Sequence, residues 1–433
     1  MKEDFLHYLW KHRRFSQENL QTSSGLPVRI LDPGEHNLDA GPDFFNARIQ
    51  LGSTVWAGNV EMHLSASDWV FHGHERDPAY DNVVLHVVFD EDCVVRRRNG
   101  ERIPCLILRS HVPPGILERY KRLQFEAHLV PCQKFIKDVA RVVWKNWLDR
   151  LMIERLEIQT QELRFVLQET GNDWDEMFYR RLAYCFGLKV NAQPFLQLAR
   201  SLPLRVINKH RNQLHQLEAL LFGLAGMLHP NALDLYPRSL WKEYTFLKHK
   251  YQLIEDKQLV WKFLRMRPAN FPSVRIAQFA SLLHHCPHLF AEGAEAEKWN
   301  DLESVWETPT SPYWLDHYQF DKPSVKHIKR LGPGTLQSLV INALVPALFL
   351  YSKHKQDPRY QDKAMVLLQS IPAESNKTLR EWDFIGVKAE NAGESQALLH
   401  LKKNYCNKKK CMQCAAGNAI MVQAQSFPQA QSP

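Results

Sequence analysis

The chain has 433 residues, 45% hydrophobic and 24% charged, with a formal net charge of +8. Those proportions exclude a disordered or collagen-like chain and leave room for two or three domains. The positive excess is modest for the length; it favours an anionic partner such as nucleic acid without demanding one.

Residues 4–14 carry Phe5, Tyr8 and Leu9 at helical spacing and predict a short first helix. The apolar letters there are broken by His7 and followed by basic residues, so they do not form a secretory leader. Residues 25–43 are turn-rich. Three β-like runs follow, 44–51, 55–64 and 83–89, the first two joined by Gly52-Ser53 as a hairpin. Asn99-Gly100 predicts a second hairpin between 93–98 and 102–108, and Pro113-Pro114-Gly115 closes the first domain.

From residue 116 onward the pattern turns helical. Val143, Trp147, Leu151 and Ile158 recur at three and four residues, and similar patterns cover 175–186, 194–201, 212–228, 240–251, 274–283 and 334–351. The longest apolar run, 339–351, contains Asn342 and Pro346 and is too short to cross a bilayer. The predicted fold class is α+β: a β-rich mixed α/β domain over 1–112, a large all-α domain over 113–400, a cysteine knuckle over 401–425 and a disordered tail over 426–433. No membrane partner and a cytoplasmic location are expected.

The chemistry concentrates between residues 41 and 90. Asp43 opens a strand just past Gly41-Pro42, and alternation places Asn59, Glu61 and His63 on one face of the next strand. Hairpin pairing would bring Asp43 to Glu61, and two adjacent carboxylates call for a cation. His72-Gly73-His74 and His86 add imidazoles, so Asp43, Glu61, His63, His72, His74 and His86 form a predicted divalent-metal ligand set. Blander roles compete: a turn cap for Asp43, an exposed strand acid for Glu61, a core histidine for His86. A short helix capped by Ser67 or Asp68 would complete the order strand, strand, helix, strand.

Near the C-terminus, Cys406, Cys411 and Cys414 make a Cys-x4-Cys-x2-Cys array. Three thiols within nine residues point to metal, either Zn²⁺ or an iron–sulfur cluster, and each option needs a fourth ligand. His400 is the first choice and Cys132 the second; otherwise Cys132 reads with Cys93, Cys105, Cys185 and Cys286 as a reduced core thiol. Lysines 402, 403, 408, 409 and 410 would lower the thiol pKa values. The Arg265-x-Arg267-Pro268-Ala269-Asn270-Phe271-Pro272 run could line a phosphate groove, or could simply be an ordered connection.

Pro42-Asp43, 17 intervening residues and then Glu61-x-His63 resemble the PD-(D/E)xK nuclease signature, with histidine where that superfamily carries lysine. That resemblance implies a Mg²⁺- or Mn²⁺-dependent attack on a scissile phosphate, with Asp43 and Glu61 on the metal and His63 ligating it or helping to activate water. Gly41-Pro42-Asp43-Phe44, Gly58-Asn59-Val60-Glu61-Met62-His63, Ser67-Asp68-Trp69, Asp81-x-Val83-Val84-Leu85-His86, the 265–272 run and the three C-terminal cysteines together resemble the bacterial domain-of-unknown-function family 2851. The second resemblance implies no particular activity. The function expected from the residues is a metal-dependent nuclease or phosphodiesterase. A non-catalytic nucleic-acid-binding protein with structural metals and a thiol or cluster redox protein are the alternatives.

Overall fold

The computed structural model describes residues 1–125, 128–256 and 258–423. The tail expected over 426–433 lies outside the described residues. Helix accounts for 56% of the chain and the strands gather near the N-terminus, an α+β fold. Two units form. The first comprises Met1–Trp147, Glu381–Val387 and the stretch from His400 onward; the second comprises Leu148–Arg380 and Lys388–Leu399. The first unit therefore runs past residue 112 and includes the cysteine segment. Gln124 Nε2 donates to the Lys409 carbonyl at 3.0 Å, and Gln423 Nε2 to the Asp138 carbonyl at 2.6 Å, tying that segment to the chain around residue 130.

In the first unit, helix α1 (Glu3–Lys11) buries Phe5, Leu6, Leu9 and Trp10 and packs on the sheet at β4. The strands are β1 (Val28–Asp32), β2 (Glu35–His36), β3 (Phe44–Leu51), β4 (Thr54–Ser65), β5 (Val83–Asp90) and β6 (Cys105–Ile107). Their order is β1-β3-β4-β5-β6, with β2 also pairing to β3. Strands β3 and β4 are antiparallel, as the Gly52-Ser53 turn predicts, whereas β4–β5 and β5–β6 are parallel. Strand β5 is buried from Val83 to Phe89, the expected state of a near-continuous apolar run in a parallel sheet covered on both faces. The crossover from β4 to β5 runs through the one-turn helix α2 (Asp68–Phe71) and two short turns. A bulge between Phe44 and Ala47, with Asn46 at φ 57°, bends β3 just after Asp43.

Two local expectations change. Ser67 does not cap α2, because its hydroxyl donates to Asp92 at 2.6 Å, and Asp68 instead accepts from the Ser65 N–H at 3.1 Å. The Asn99-Gly100 turn forms, with Gly100 N–H donating to the Arg97 carbonyl (2.9 Å), but its arms form no regular strands and are joined by bonds such as Arg97 N–H to Glu101 (2.8 Å) and Ile103 N–H to Val95 (3.1 Å) and by an isolated Arg96–Arg102 bridge. Residues 105–107 pair with β5 instead, so no second hairpin of full length develops.

In the unit, α3 (Pro114–Phe125) and the start of α4 (Arg141–Glu169) follow the sheet. The second unit is helical wherever the periodicity predicts it, including Trp174–Phe186, Leu188–Ser201, Leu214–Leu224, Leu235–Tyr251 and Pro272–His285. Pro194 is accommodated because the backbone kinks at Asn191, which leaves it near the start of the second segment. The run Pro333–Lys355 is long and apolar enough to cross a membrane, yet 67% of its apolar window is buried, as in a core helix. Its Asn342 lies in a π turn (Val340–Leu344), where the Asn342 carbonyl accepts from Arg181 Nε at 2.8 Å and its side chain from Arg155 at 3.1 Å. Those bonds explain a polar residue within that run.

Candidate metal centre

The site lies at the C-terminal half of β4 and the crossover that follows it. Glu61 and His63 share one face of β4, as alternation requires, and both are buried. His72 ends α2, and Gly73 then takes the left-handed conformation (φ 77°) before His74 opens the next turn. That reversal brings two imidazoles separated by one residue back toward His63.

The ligand atoms of His63, His72 and His74 all lie within 4.8 Å of one another. His63 Nε2 is 3.2 Å from His72 Nδ1. Glu61 Oε1 adds a fourth donor, 3.6 Å from His63 Nε2 and 3.4 Å from His74 Nε2. His63 is buried, His74 half-buried and His72 exposed, so the group opens to solvent at His72. Three imidazoles and a carboxylate around one point suit Zn²⁺ or a similar ion; Mg²⁺, which demands oxygen ligands, does not suit this set.

The surroundings keep the donors available. Burial, reinforced by the neighbouring His86, His74 and His72, drives the His63 pKa down to about 2. Burial likewise lowers His86 to about 3. Both rings are therefore neutral, the protonation state that metal binding requires. His63 Nδ1 lies 2.8 Å from His86 Nε2. When that Nδ1 carries the proton and donates to His86, the Nε2 lone pair of His63 faces the cluster. Tyr80 stacks on His74 at 3.8 Å between centroids, and Trp69 lies edge-on to His74 at 5.4 Å and to His86 at 5.3 Å. Burial also raises Glu61 to about 6, with Asp43 adding to the rise and His74 opposing it.

Asp43 comes close to Glu61, as hairpin pairing predicts, but lies outside the three-imidazole group. Its N–H donates to Glu61 Oε2 at 3.0 Å, and its Oδ2 accepts the Met62 N–H at 3.0 Å. His7 Nε2, on α1, lies 3.2 Å from that same Oδ2, off the straight hydrogen-bond line. Burial works against charge on His7, yet contact with Asp43 and the charges of Asp43, Glu3 and Glu61 raise its pKa overall. Asp43 thus orients Glu61 and pairs with His7. His86 stands behind His63 rather than beside the open position. Asp77 and Asp81 stay out of the pocket: Asp77 caps a turn at Ala79, and Asp81 pairs with Arg98 at 2.9 Å.

The match to a family model runs over residues 3–377 and takes in every residue of this pocket. The chain belongs to the family described as Protein of unknown function (DUF2851). No curated protein and no solved structure matches it. None of these comparisons shows the expected likeness to PD-(D/E)xK nucleases.

Cys406, Cys411 and Cys414 lie elsewhere in the first unit, beyond the matched residues. Among the described residues, no three cysteine sulfurs all fall within 4.8 Å of one another. The expected lowering by the lysines is outweighed by burial. Burial pushes the Cys406 thiol well above its ordinary value and Cys411 up to about 12, and the opposing pull of Lys402 and Lys409 is smaller. The His400 ring meets the Asn404 side-chain amide at 3.0 Å. Arg265 and Arg267 are exposed residues of the second unit, whereas the pocket residues belong to the first.

Glu3 and His7 are the pocket residues that sequence reasoning missed. They are polar letters on an amphipathic helix far upstream, and only their i, i+4 spacing marks them as sharing a face.

Proposed function

We propose that the first unit is a metal-dependent hydrolase, a nuclease or phosphodiesterase acting on nucleic acid in the cytoplasm, with Zn²⁺ or a similar imidazole-preferring ion. The observation that carries this reading is the convergence of His63, His72, His74 and Glu61 with one side open at the exposed His72. A structural metal site is normally closed by protein ligands, whereas a hydrolytic one keeps a position for water or substrate. The ion would lower the pKa of bound water and polarise a phosphoryl oxygen.

The residues divide the remaining work. His63, His72 and His74 hold the ion, His86 fixes the tautomer of His63, and Asp43 holds Glu61 in place through its N–H. Glu61 Oε1, adjacent to the ion, ligates it or takes the proton from the attacking water. His7 Nε2 lies beside Asp43 at 3.2 Å. The net charge of +8 and eight free cysteines suit an anionic substrate and a reducing compartment.

The test uses full-length protein stripped of metal and reloaded separately with Zn²⁺, Mn²⁺ or Mg²⁺. Each form is assayed on single- and double-stranded DNA, on RNA and on an activated phosphodiester. Cutting is expected with Zn²⁺ or Mn²⁺, and Glu61→Gln should lower it about 100-fold or more while nucleic-acid retention changes little. Tight Zn²⁺ binding with no cutting of any substrate would refute the hydrolase and leave a binding protein with a structural metal.

A further inference from the structure

The cysteine segment carries a second inference, independent of the histidine pocket. Cys406 ends a π turn (Lys402–Cys406), Cys411 opens the turn Cys411–Gln413, and Cys414 precedes the C-terminal helix Ala415–Gln423. Cys132 immediately precedes the turn Gln133–Asp138, which the C-terminal helix packs against. The segments are tied by Gln124 to Lys409, by Lys402 and Lys409 to the Leu129 and Gln124 carbonyls, and by Gln423 to Asp138.

All four cysteines are free, and Cys132, Cys411 and Cys414 are buried. Each of the six pairs among the four is close enough for one thiol to sense the other's charge. Four thiols brought together in this way offer thiolate ligands to a single cationic centre. Cys414 Sγ also sits against the backbone N–H groups of Ala416 and Gly417, although burial raises its pKa overall. Gly417 permits this because a Cβ there would lie 2.1 Å from the Cys411 carbonyl oxygen.

We propose that Cys132, Cys406, Cys411 and Cys414 are the four thiolate ligands of a 4Fe–4S cluster. Spacing selects the cluster over a single ion. Tetrahedral Zn²⁺ with Zn–S bonds of about 2.3 Å holds its sulfurs about 3.8 Å apart, yet no three of these sulfurs fall within 4.8 Å of one another among the described residues. A cubane places each sulfur on its own iron corner and needs that wider frame. The cluster would join Cys132 to Cys406 across 274 positions of sequence and fasten the C-terminal segment into the first unit.

The experiment is metal and acid-labile sulfide analysis of full-length protein purified anaerobically. About four irons and four sulfides per chain are expected, with visible absorbance that bleaches on reduction. Cys132→Ser should lose most of the iron, whereas Cys286→Ser and His400→Ala should keep it. One zinc per chain without sulfide would overturn the proposal, as would failure to take up iron on anaerobic reconstitution. Full iron in Cys132→Ser would also overturn it. If Cys132→Ser is insoluble, His400→Ala decides: retention of iron supports the four-cysteine set, and loss assigns the ligand to His400 and refutes it.

Discussion

Replacing Glu218 by Gln should remove a pH dependence built into the core of the second unit. Glu218 lies on Leu214–Leu224 and is 0% exposed. Its Oε1 accepts from Ser311 Oγ at 3.0 Å and Trp314 Nε1 at 3.2 Å, and its Oε2 from the Tyr236 hydroxyl. Burial raises its pKa from 4.5 to about 7, although those three donors pull the other way. Two and a half factors of ten in proton affinity are worth about 3 kcal/mol. The folded state binds the proton more tightly than the unfolded state, so this stability is fully present below pH 4.5 and is lost as pH rises through about 7. Glu218→Gln imitates the protonated acid: its oxygen keeps the Ser311 and Trp314 donors, and its amide donates to the Tyr236 oxygen. Hydrogen exchange of the Leu214–Leu224 peptide, read by mass spectrometry between pH 4.5 and 8 and corrected for intrinsic exchange, reports this unit. The wild type should lose about 3 kcal/mol of protection relative to the variant across that window. An equal slope in both proteins, or wild-type protection that rises with pH, would refute the reasoning.

Two further outcomes test the pocket. Gly73→Ala places a Cβ at φ 77° and should cost about 1–2 kcal/mol, shifting His72 and His74; a Zn²⁺ affinity equal to the wild type in competition with a chromogenic chelator would contradict the role given to that turn. His86→Phe keeps the ring but removes the partner of His63 Nδ1, so Zn²⁺ affinity should fall about 10- to 100-fold, and unchanged affinity by calorimetry would show that His86 is only a core residue.

The parts of the fold legible in the sequence were those whose pattern is local. Residues 44–51, 54–65 and 83–90 form strands as expected, because alternation and the apolar Val83–Phe89 run each report burial of the strand that contains them. Strands β1 and β2 were not legible: β2 has two residues, and β1 exposes three of its five. The Asn99-Gly100 signal was real as a turn. It could not show that Cys105–Ile107 would find β5 a better partner than the opposite arm of its own hairpin. Local propensity gave way to tertiary pairing.

The histidine pocket divides along the same line. Glu61 with His63 and His72 with His74 were visible because their partners lie two positions away, and the β4–β5 crossover returns them to one place. His7 was not, since nothing around it records a partner 36 positions away. Helix α1 shows why. Periodicity reads Phe5, Tyr8 and Leu9 as one apolar face and assigns no partner to Glu3, Asp4 or His7. In the folded unit, Glu3 and His7 interact electrostatically with Asp43, while Asp4 interacts with Cys411 and meets the Tyr120 hydroxyl at 3.5 Å. The polar side of this helix faces both candidate centres. An amphipathic pattern identifies which side chains leave water for the core, and it says nothing of whether the others face solvent or a polar site.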